Sequence, residues 1–405
     1  MQNFSLKRLL KTALKVSLSI VFGSLVLIGL LLGALWLDHT RPTTLPVPTG
    51  PFAVGRTTGF WIDPAHDDPM APQPGTKRQL AAWIWYPAVQ SSADTADYMP
   101  SPWRAARTQA MSPVFSQLIN RDYSRVHTHS YAEAPMSIQQ AAYPVVLMRA
   151  GLAAQTTDYT SLAEDLASHG YVVAGFDAPW RSSEVVFPDG KVALRLAHNN
   201  ADLLGGPAQE QLALRLMKAW SGDMSFALDQ LVRLNRESGR FQGRLDLERV
   251  GAFGHSLGGA TALDFCRRDA RCKAGIDIDG APLGEVVQSG VQQPFLFLLS
   301  DHSKESAAEA GPVMANIHSI YLKLPHDRRL EATIRNAGHF GFSDGAVLRV
   351  PMVMQVLHAT GILSVDGRRQ IAITTDFDSR FFDVWLKGAP NSRNLWDFPE
   401  VELTH

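Results

Sequence analysis

The stretch GAFGHSLGGATALDF, residues 251–265, decides how this chain is interpreted. It contains the pattern G-x-S-x-G, with Ser256 between Gly254 and Gly258. A strand-like run, RVGAF, precedes the pattern, and a helical run, LGGATALDFC, follows it. A sharp strand-to-helix turn of this kind, called a nucleophile elbow, places the serine at the amino end of a helix. We therefore predict that Ser256 is a nucleophile and that the glycines avoid Cβ clashes between strand and helix. The backbone N–H of Leu257 would form part of an oxyanion hole.

A serine nucleophile needs a histidine base, which in this arrangement follows the serine along the chain. The histidines after Ser256 are His302, His318, His326, His339, His358 and His405. His339 is the strongest candidate because it follows a predicted strand and lies in the glycine-flanked loop NAGHFGFSD. We expect His302 and His326 to be solvated, since their surroundings SDHSKE and LPHDRR are polar, and His255 to pack within the elbow.

An acid must orient the histidine, and the residues alone leave three aspartates as candidates. Asp279 ends the strand-like run AGIDID after the elbow helix, and Asp301 ends the next run, PFLFLLSD. Asp277 lies two residues before Asp279, on the same side of the strand, and is a weaker candidate. The pattern alone slightly favours Asp301, because many proteins with this motif take the acid from the later strand.

Strand-like and helical segments alternate along most of the chain. Apolar runs at 78–88 and 143–151 are typical of strands, and the periodicity of 206–235 indicates a long amphipathic helix or a pair of helices. This alternation predicts an α/β fold with a mostly parallel central sheet that helices cover on both faces. We expect one domain over 51–390, followed by a C-terminal tail over 391–405.

Two further segments are candidates for contact with a substrate. Residues 100–142 either line or cover a pocket or form a helix packed beneath the sheet, and both interpretations stay open. The apolar side chains in question are Trp103, Met111 and Phe115. Trp180 and Arg181 follow a strand that ends at Asp177, so they lie near the carboxyl end of the sheet, with or without a role in binding.

The amino terminus resembles a membrane anchor. Residues 1–15 carry four basic side chains and no acid, and residues 16–37 contain no charge. A helix over this run would span about 33 Å, enough to cross a bilayer core of about 30 Å. We predict a cytoplasmic basic segment, an uncleaved signal anchor and a Pro- and Thr-rich linker over 38–50, with a cleaved signal peptide as the alternative. The positive residues would stay inside, which places the domain on the periplasmic or extracellular side of the inner membrane.

Cysteine content and composition limit the remaining possibilities. Cys266 and Cys272 are six residues apart and could form a local disulfide in an oxidising compartment, whereas two buried thiols are the alternative. The chain is 45% hydrophobic and has a net charge of −1, which is typical of a globular protein. No basic stripe beyond the amino terminus and no metal-like clustering of Cys or His is present, so we expect neither nucleic acid nor a metal.

Several stretches together resemble the platelet-activating factor acetylhydrolase family of α/β-hydrolases, in particular its bacterial membrane-anchored or secreted relatives. The most specific is DYTSLAEDLASHGYVVAGFDAPWRSS, residues 158–183. GHSLGG, GIDIDG, GHFGFSD and SRFFDVWLKG follow in the expected order, so that the similarity spans roughly residues 46–390. The resemblance implies the α/β-hydrolase fold.

The resemblance also implies site residues. It favours Asp279 over Asp301 as the acid, since the family's aspartate follows the strand directly after the elbow helix. It assigns the second oxyanion donor to the backbone N–H of Leu152. Arg149 and Ala150 stand where the family usually has serine and histidine. A backbone donor does not depend on these side chains, so the departure bears on the substrate more than on catalysis.

The resemblance implies a serine carboxylic ester hydrolase that acts outside the cytoplasm on short-chain or lipid-like esters, without metal or organic cofactor. A general short-chain esterase or polyester hydrolase is the alternative enzyme, and an amidase or peptidase could use the same residues. A non-catalytic anchored binding protein is the alternative of another class, and loss of Ser256, Asp279 or His339 would have been its signature.

Overall fold

The computed structural model describes residues 2–91, 94–111, 119–304, 306–359, 365–391, 396 and 398–404. The strands within these ranges are β1 (Thr43–Thr44), β2 (Ala53–Asp67), β3 (Lys77–Ala88), β4 (Val126–His127), β5 (Ser130–Ala132), β6 (Tyr143–Arg149), β7 (Val172–Asp177), β8 (Glu184–Val186), β9 (Val192–Leu194), β10 (Leu245–His255), β11 (Cys272–Ile278), β12 (Phe295–Leu299), β13 (Arg329–Ile334) and β14 (Val401–Thr404). The α-helices are α1 (Gln2–His39), α2 (Ser101–Ala110), α3 (Thr160–Ser168), α4 (Gly206–Arg236), α5 (Leu257–Arg268), α6 (Glu285–Ser289), α7 (Ala307–Lys323), α8 (Gly345–Leu348), α9 (Pro351–Ala359) and α10 (Gly367–Lys387).

One large sheet organises the domain, in the strand order β14-β13-β12-β11-β10-β6-β7-β3-β2-β5. The neighbours from β13 to β7 are parallel, whereas β14 and β3 join them antiparallel. Strands β6 and β12 are buried along their whole length, which explains why their sequences are continuous apolar runs. The mostly parallel sheet that the sequence predicts is therefore present.

Each face of the sheet carries its own hydrophobic core. Successive side chains of a strand point to opposite faces, so Val145 and Leu147 of β6 join one core and Val146 and Met148 join the other. Helices α4, α5 and α7 cover the first face, and α3 and α10 cover the second. Both faces are thus buried, as expected for a parallel sheet.

The segments that flank the predicted domain are packed against it. Strand β1 pairs with β4, Leu45 is buried, and the Thr49 N–H donates to Asp165 Oδ1 at 2.8 Å. At the other end, β14 extends the sheet beside β13. The predicted linker over 38–50 therefore contacts the domain at these positions, and residues 401–404 of the predicted C-terminal tail over 391–405 are part of the sheet. Local composition could not reveal these contacts, because the partners lie far away in the sequence.

Helix α1 is exposed along its apolar part and contacts the domain at its carboxyl end. By length and composition, residues Leu10–His39 are long and apolar enough to cross a membrane. Arg121 donates to Asp38 Oδ1 at 2.8 Å, and the His39 Nδ1 lies 2.6 Å from the Asn120 carbonyl oxygen. The helix therefore ends directly on the chain segment before β4.

The two cysteines form a disulfide that joins the end of α5 to the first residue of β11. Cys266 and Cys272 have Cα atoms 5.0 Å apart, and both residues are buried. The bond closes the short connection between the elbow helix and the strand that precedes Asp279.

Arg181 has a structural role, whereas its position after β7 in the sequence left a role in binding open. Its guanidinium is completely buried and donates to Asp68 Oδ2 at 2.6 Å and to Asp223 Oδ2 at 2.8 Å. Trp180 packs beside Phe187, with ring centroids 6.4 Å apart. Both side chains therefore support the loop after β7.

We predict that Arg181→Leu lowers the free energy of unfolding by about 3–5 kcal/mol, because it leaves buried Asp68 without its cation and leaves Asp223 with Arg78 alone. The midpoint of thermal unfolding of the detergent-solubilised protein measures this loss. Lys77→Gln is the control, since Lys77 pairs with Asp67 at the surface and its loss should change stability by at most about 0.5 kcal/mol. Equal shifts in the two variants would contradict the prediction.

Candidate active site

Ser256 lies in a strained turn at the carboxyl edge of the sheet. It follows the last residue of β10 and precedes the first residue of α5, with φ 57° and ψ −129°. A positive φ is unfavourable for a residue with a Cβ and costs about 1–3 kcal/mol. The surroundings hold it in place, because the Ser256 N–H donates to the Ile278 carbonyl oxygen at 2.9 Å. This is the geometry of the predicted elbow.

The two glycines of the pattern allow strands and helix to meet closely. A Cβ built on Gly254 would lie 2.8 Å from the Arg149 carbonyl oxygen. One built on Gly258 would lie 2.7 Å from the Ala150 carbonyl oxygen. Real Cβ atoms are not found at such distances, so any side chain here would displace the end of β6 or the start of α5.

Asp279 follows β11 and accepts hydrogen bonds from two histidines. The His339 Nδ1–H donates to Asp279 Oδ2 at 2.7 Å, and the His302 Nε2–H donates to Oδ1 at 3.0 Å. Ser300 adds its backbone N–H at 2.8 Å and its hydroxyl at 2.7 Å. Burial alone would raise the pKa of Asp279, but the hydrogen bonds from His302 and His339 outweigh it and hold the pKa well below its usual range.

The two other aspartates have different surroundings. Asp301 accepts the backbone N–H groups of Ser303 at 3.0 Å and Asn336 at 2.7 Å, so it supports the loop that leads to His339. Asp277 is completely buried beneath the elbow. Burial and the neighbouring charge of Asp279 raise the pKa of Asp277 well above its usual range, which favours its neutral form.

His255 connects the elbow to the loop that carries His339. The Tyr159 hydroxyl lies 2.8 Å from His255 Nδ1, and His255 Nε2 lies 2.9 Å from the His339 carbonyl oxygen. Burial and the nearby His339 lower the pKa of His255 to about 3, so the ring is neutral at pH 7. A neutral ring donates from Nε2 to the carbonyl and accepts from Tyr159 at Nδ1. His255 therefore packs within the elbow, as expected, and also holds His339 by its backbone.

The two candidate oxyanion donors flank Ser256. Leu257 is the first residue of α5, where backbone N–H groups have no partner within the helix. The loop with Leu152 passes beside the serine, since a Cβ on Gly151 would lie 3.3 Å from Ser256 Cβ. Arg149 lies beneath this loop, with its guanidinium 3.9 Å from the Trp220 ring centroid. The side chain that departs from the family pattern is therefore part of the core.

Ser256 and His339 line a cavity of about 560 Å³. Within the segment 100–142, the described residues Met111, Ile119, Asn120 and Tyr123 line this cavity. Trp103 packs instead on Trp83, with ring centroids 5.1 Å apart, and Phe115 lies outside the described residues. Both interpretations of this segment are thus partly correct. No group of three His, Cys, Asp or Glu side chains that could hold a metal occurs among the described residues.

A family model described as platelet-activating factor acetylhydrolase, isoform II, matches residues 38–187 and 210–387. The chain belongs to this family. Ser256, Asp279 and His339 all lie within the matched ranges.

Individual proteins that are similar to this chain are also named as acetylhydrolases or esterases. The platelet-activating factor acetylhydrolase of Cavia porcellus is 25% identical over 338 residues, which cover 79% of this chain and 73% of the relative. A probable 1-alkyl-2-acetylglycerophosphocholine esterase from Arthroderma benhamiae is 25% identical over 241 residues, or 57% of this chain and 54% of the relative. A solved ferulic acid esterase from Streptomyces cinnamoneus has a TM-score of 0.73 and 26% identity, covering 90% of this chain and 100% of that one. The α/β-hydrolase fold is thereby confirmed. The chain, as a member of the acetylhydrolase family, is an ester hydrolase.

Sequence reasoning missed two contributors to the site. His302, expected to be solvated, donates to Asp279, and Tyr159 supports His255. A signal for His302 was available, because it follows the end of β12, directly beside the strand that carries Asp279. His326 is exposed, as expected.

We predict that His255 makes the protein less stable in acid. The unfolded histidine takes up a proton near pH 6.5, whereas the folded one does so only near pH 3. The unfolded state therefore binds more protons between these values, and the free energy of unfolding falls as the pH decreases from 6.5 towards 3. His255→Gln should reduce this slope by up to about 1 kcal/mol per pH unit, measured by thermal unfolding at several pH values. His326→Gln, at an exposed histidine, should leave the slope unchanged, and an unchanged slope in both variants would refute the prediction.

Proposed function

We propose that this ester hydrolase uses Ser256 as nucleophile, His339 as base and Asp279 as the acid that orients the base. The observation that carries the proposal is the 2.7 Å hydrogen bond from His339 Nδ1 to Asp279, on the wall of the same cavity that Ser256 lines. This bond fixes the tautomer of His339 and leaves Nε2 for the proton of the serine hydroxyl.

The reaction would begin with attack of Ser256 Oγ on the ester carbonyl carbon. His339 takes the hydroxyl proton and then gives it to the leaving alcohol, while the Asp279 carboxylate stabilises the imidazolium. The backbone N–H groups of Leu152 and Leu257 donate to the negative oxygen of the tetrahedral intermediate. The products of this step are an alcohol and an acyl-serine.

Water completes the cycle. His339 removes a proton from the water, which attacks the acyl carbonyl, and the tetrahedral intermediate then expels Ser256 Oγ with the return of the proton. The low pKa of Asp279 keeps it ionised throughout, which is the state that supports a positive imidazolium. No step in this sequence requires a metal or an organic cofactor.

The substrate class we favour is short-chain or lipid-like esters. The names of two similar proteins, an acetylhydrolase and an acetylglycerophosphocholine esterase, support this choice. The ferulic acid esterase with a similar structure favours a general esterase as the second candidate. The geometry of Ser256, His339 and Asp279 argues against a purely binding role, for which none of these contacts is needed.

We further propose that α1 anchors the protein in a membrane with the domain outside the cytoplasm. The apolar helix and the Cys266–Cys272 disulfide support this location. Because Asn120 both contacts the end of α1 and lines the cavity, the anchor would hold the cavity close to the bilayer surface.

Ser256→Ala in the full-length protein should abolish hydrolysis of p-nitrophenyl butyrate and labelling by a fluorophosphonate probe. The substitution removes only the hydroxyl group, and without this group no acyl-enzyme forms. Equal rates in wild type and variant, with the fold shown intact by thermal unfolding, would exclude the proposed nucleophile. Rates on acetate, butyrate and octanoate esters would then define the preferred acyl length.

Asp279→Asn should lower kcat by about 10³–10⁴-fold, because an amide cannot stabilise the imidazolium and disturbs its tautomer. Asp301→Asn is the matched control, since Asp301 accepts the backbone N–H groups of Ser303 and Asn336 and is not among the described residues that line the cavity of Ser256. We expect it to retain activity within a few-fold. The reverse result would make Asp301 the acid.

The full-length protein should remain in the membrane fraction after an alkaline wash and be released by detergent. Protease added to intact spheroplasts of a Gram-negative host should remove the domain, because the positive-inside rule places it outside the cytoplasm. Recovery of the activity in the soluble periplasmic fraction would instead indicate a cleaved signal peptide.

A further inference from the structure

Two arginines line the cavity that contains Ser256, and their surroundings differ. Arg107 donates to Asp158 at 3.1 Å and also pairs with Glu184. Its charge is therefore matched by two carboxylates. Asp158 is the one carboxylate among the described lining residues, and it is committed to Arg107.

Arg349 has no carboxylate partner among the described residues. The one titratable neighbour that acts on its charge there is Tyr123. Its guanidinium lies 5.8 Å from the Phe340 ring centroid, and its backbone is fixed by a bridge to Asn120. Burial lowers the pKa of Arg349, with Tyr123 as the titratable group that faces it, but a guanidinium stays charged at neutral pH. This half-buried cation is therefore available to an anion that enters the cavity.

The position of Arg349 is suited to contact with a substrate. It lines the cavity of Ser256 and also an adjoining groove of about 780 Å³, which Pro42 and Thr43 line just after the end of α1. A molecule that reaches Ser256 through this groove would pass the guanidinium. The location thus lies between the reacting ester and the proposed membrane surface.

We propose that Arg349 binds an anionic group, a phosphodiester or a carboxylate, on the ester whose carbonyl is attacked by Ser256. This inference rests on the proposed function, because it assigns a specificity-determining residue to the same site. A guanidinium presents parallel N–H donors that match two oxygens of either anion. Arg349 therefore selects anionic esters over neutral esters of the same acyl length.

Two matched pairs of substrates test this assignment with the full-length protein in detergent. One pair is monomeric dibutyryl phosphatidylmethanol and dibutyrylglycerol, which differ in the anionic phosphodiester headgroup. The other is the p-nitrophenyl monoester of adipic acid and p-nitrophenyl hexanoate, which have the same acyl length and differ in a carboxylate. In Arg349→Gln, we expect KM for the anionic member to rise about tenfold, as for loss of a charged hydrogen bond, with neutral esters changed less than twofold.

Controls separate a lost contact from a damaged fold. Arg349→Lys keeps the charge but not the paired donors, so it should recover part of the discrimination. Arg328→Gln, at an exposed arginine at the amino end of β13, should behave as wild type on all four esters. If KM in Arg349→Gln rises for the phospholipid alone, the anion that Arg349 binds is a lipid phosphate. If KM rises for the anionic member of both pairs, Arg349 recognises negative charge of either kind.

The proposal is overturned if KM for both anionic esters is unchanged, or if the neutral esters lose activity to the same extent. A wild-type protein without Ser256-dependent activity on any of the four esters would overturn the proposed function and this assignment with it. Retained hydrolysis of neutral esters without discrimination would overturn the assignment of Arg349 alone.

Discussion

The strained turn at Ser256 is the constraint on which the rest of the site depends. Its positive φ is maintained by a hydrogen bond to the end of β11 and by contact of Gly254 and Gly258 with the end of β6. These partners are backbone atoms at the ends of β11 and β6, the strands on either side of β10, so the position of the serine is set by the sheet. A sheet with helices on both faces is rigid enough to offset the strain of a single residue. The proposed donors at Leu152 and Leu257 lie beside the same contacts, because one follows β6 and the other begins α5.

Asp277 in β11 and Asp279 just after it show how the surroundings of two identical side chains shift their pKa in opposite directions. Asp277 lies inside the core, where burial favours the neutral acid. Asp279 is as deeply buried, but it accepts hydrogen bonds from Ser300, His302 and His339, which favour the carboxylate. Its positive φ of 52° turns the backbone out of the strand at this residue. Opposite protonation states two residues apart thus follow from the donors that each side chain meets.

The elbow and His339 could be predicted because their signals are local. The glycine spacing, the strand before it and the helix after it occur within fifteen residues, and His339 lies in a short loop after a strand. The choice between Asp279 and Asp301 could not be made from the residues alone, since both follow the ends of neighbouring strands. Side-chain direction decides which one meets His339, and that depends on backbone angles that a sequence pattern does not contain. The resemblance to the family favoured the residue that the structure places against His339.

The contacts of residues 38–50 could not be predicted, and they change what an anchor would do. A flexible linker of thirteen residues would let the domain move about 20 Å from the membrane and rotate freely. Here the end of α1 contacts Arg121 and also Asn120, which lines the cavity, and β1 pairs with β4. If α1 spans the membrane as proposed, the cavity has a fixed orientation towards the bilayer, and an ester in the outer leaflet is close to Ser256 without diffusion of the domain. A soluble ester gains nothing from this arrangement, so the docking of α1 favours substrates that reside in the membrane.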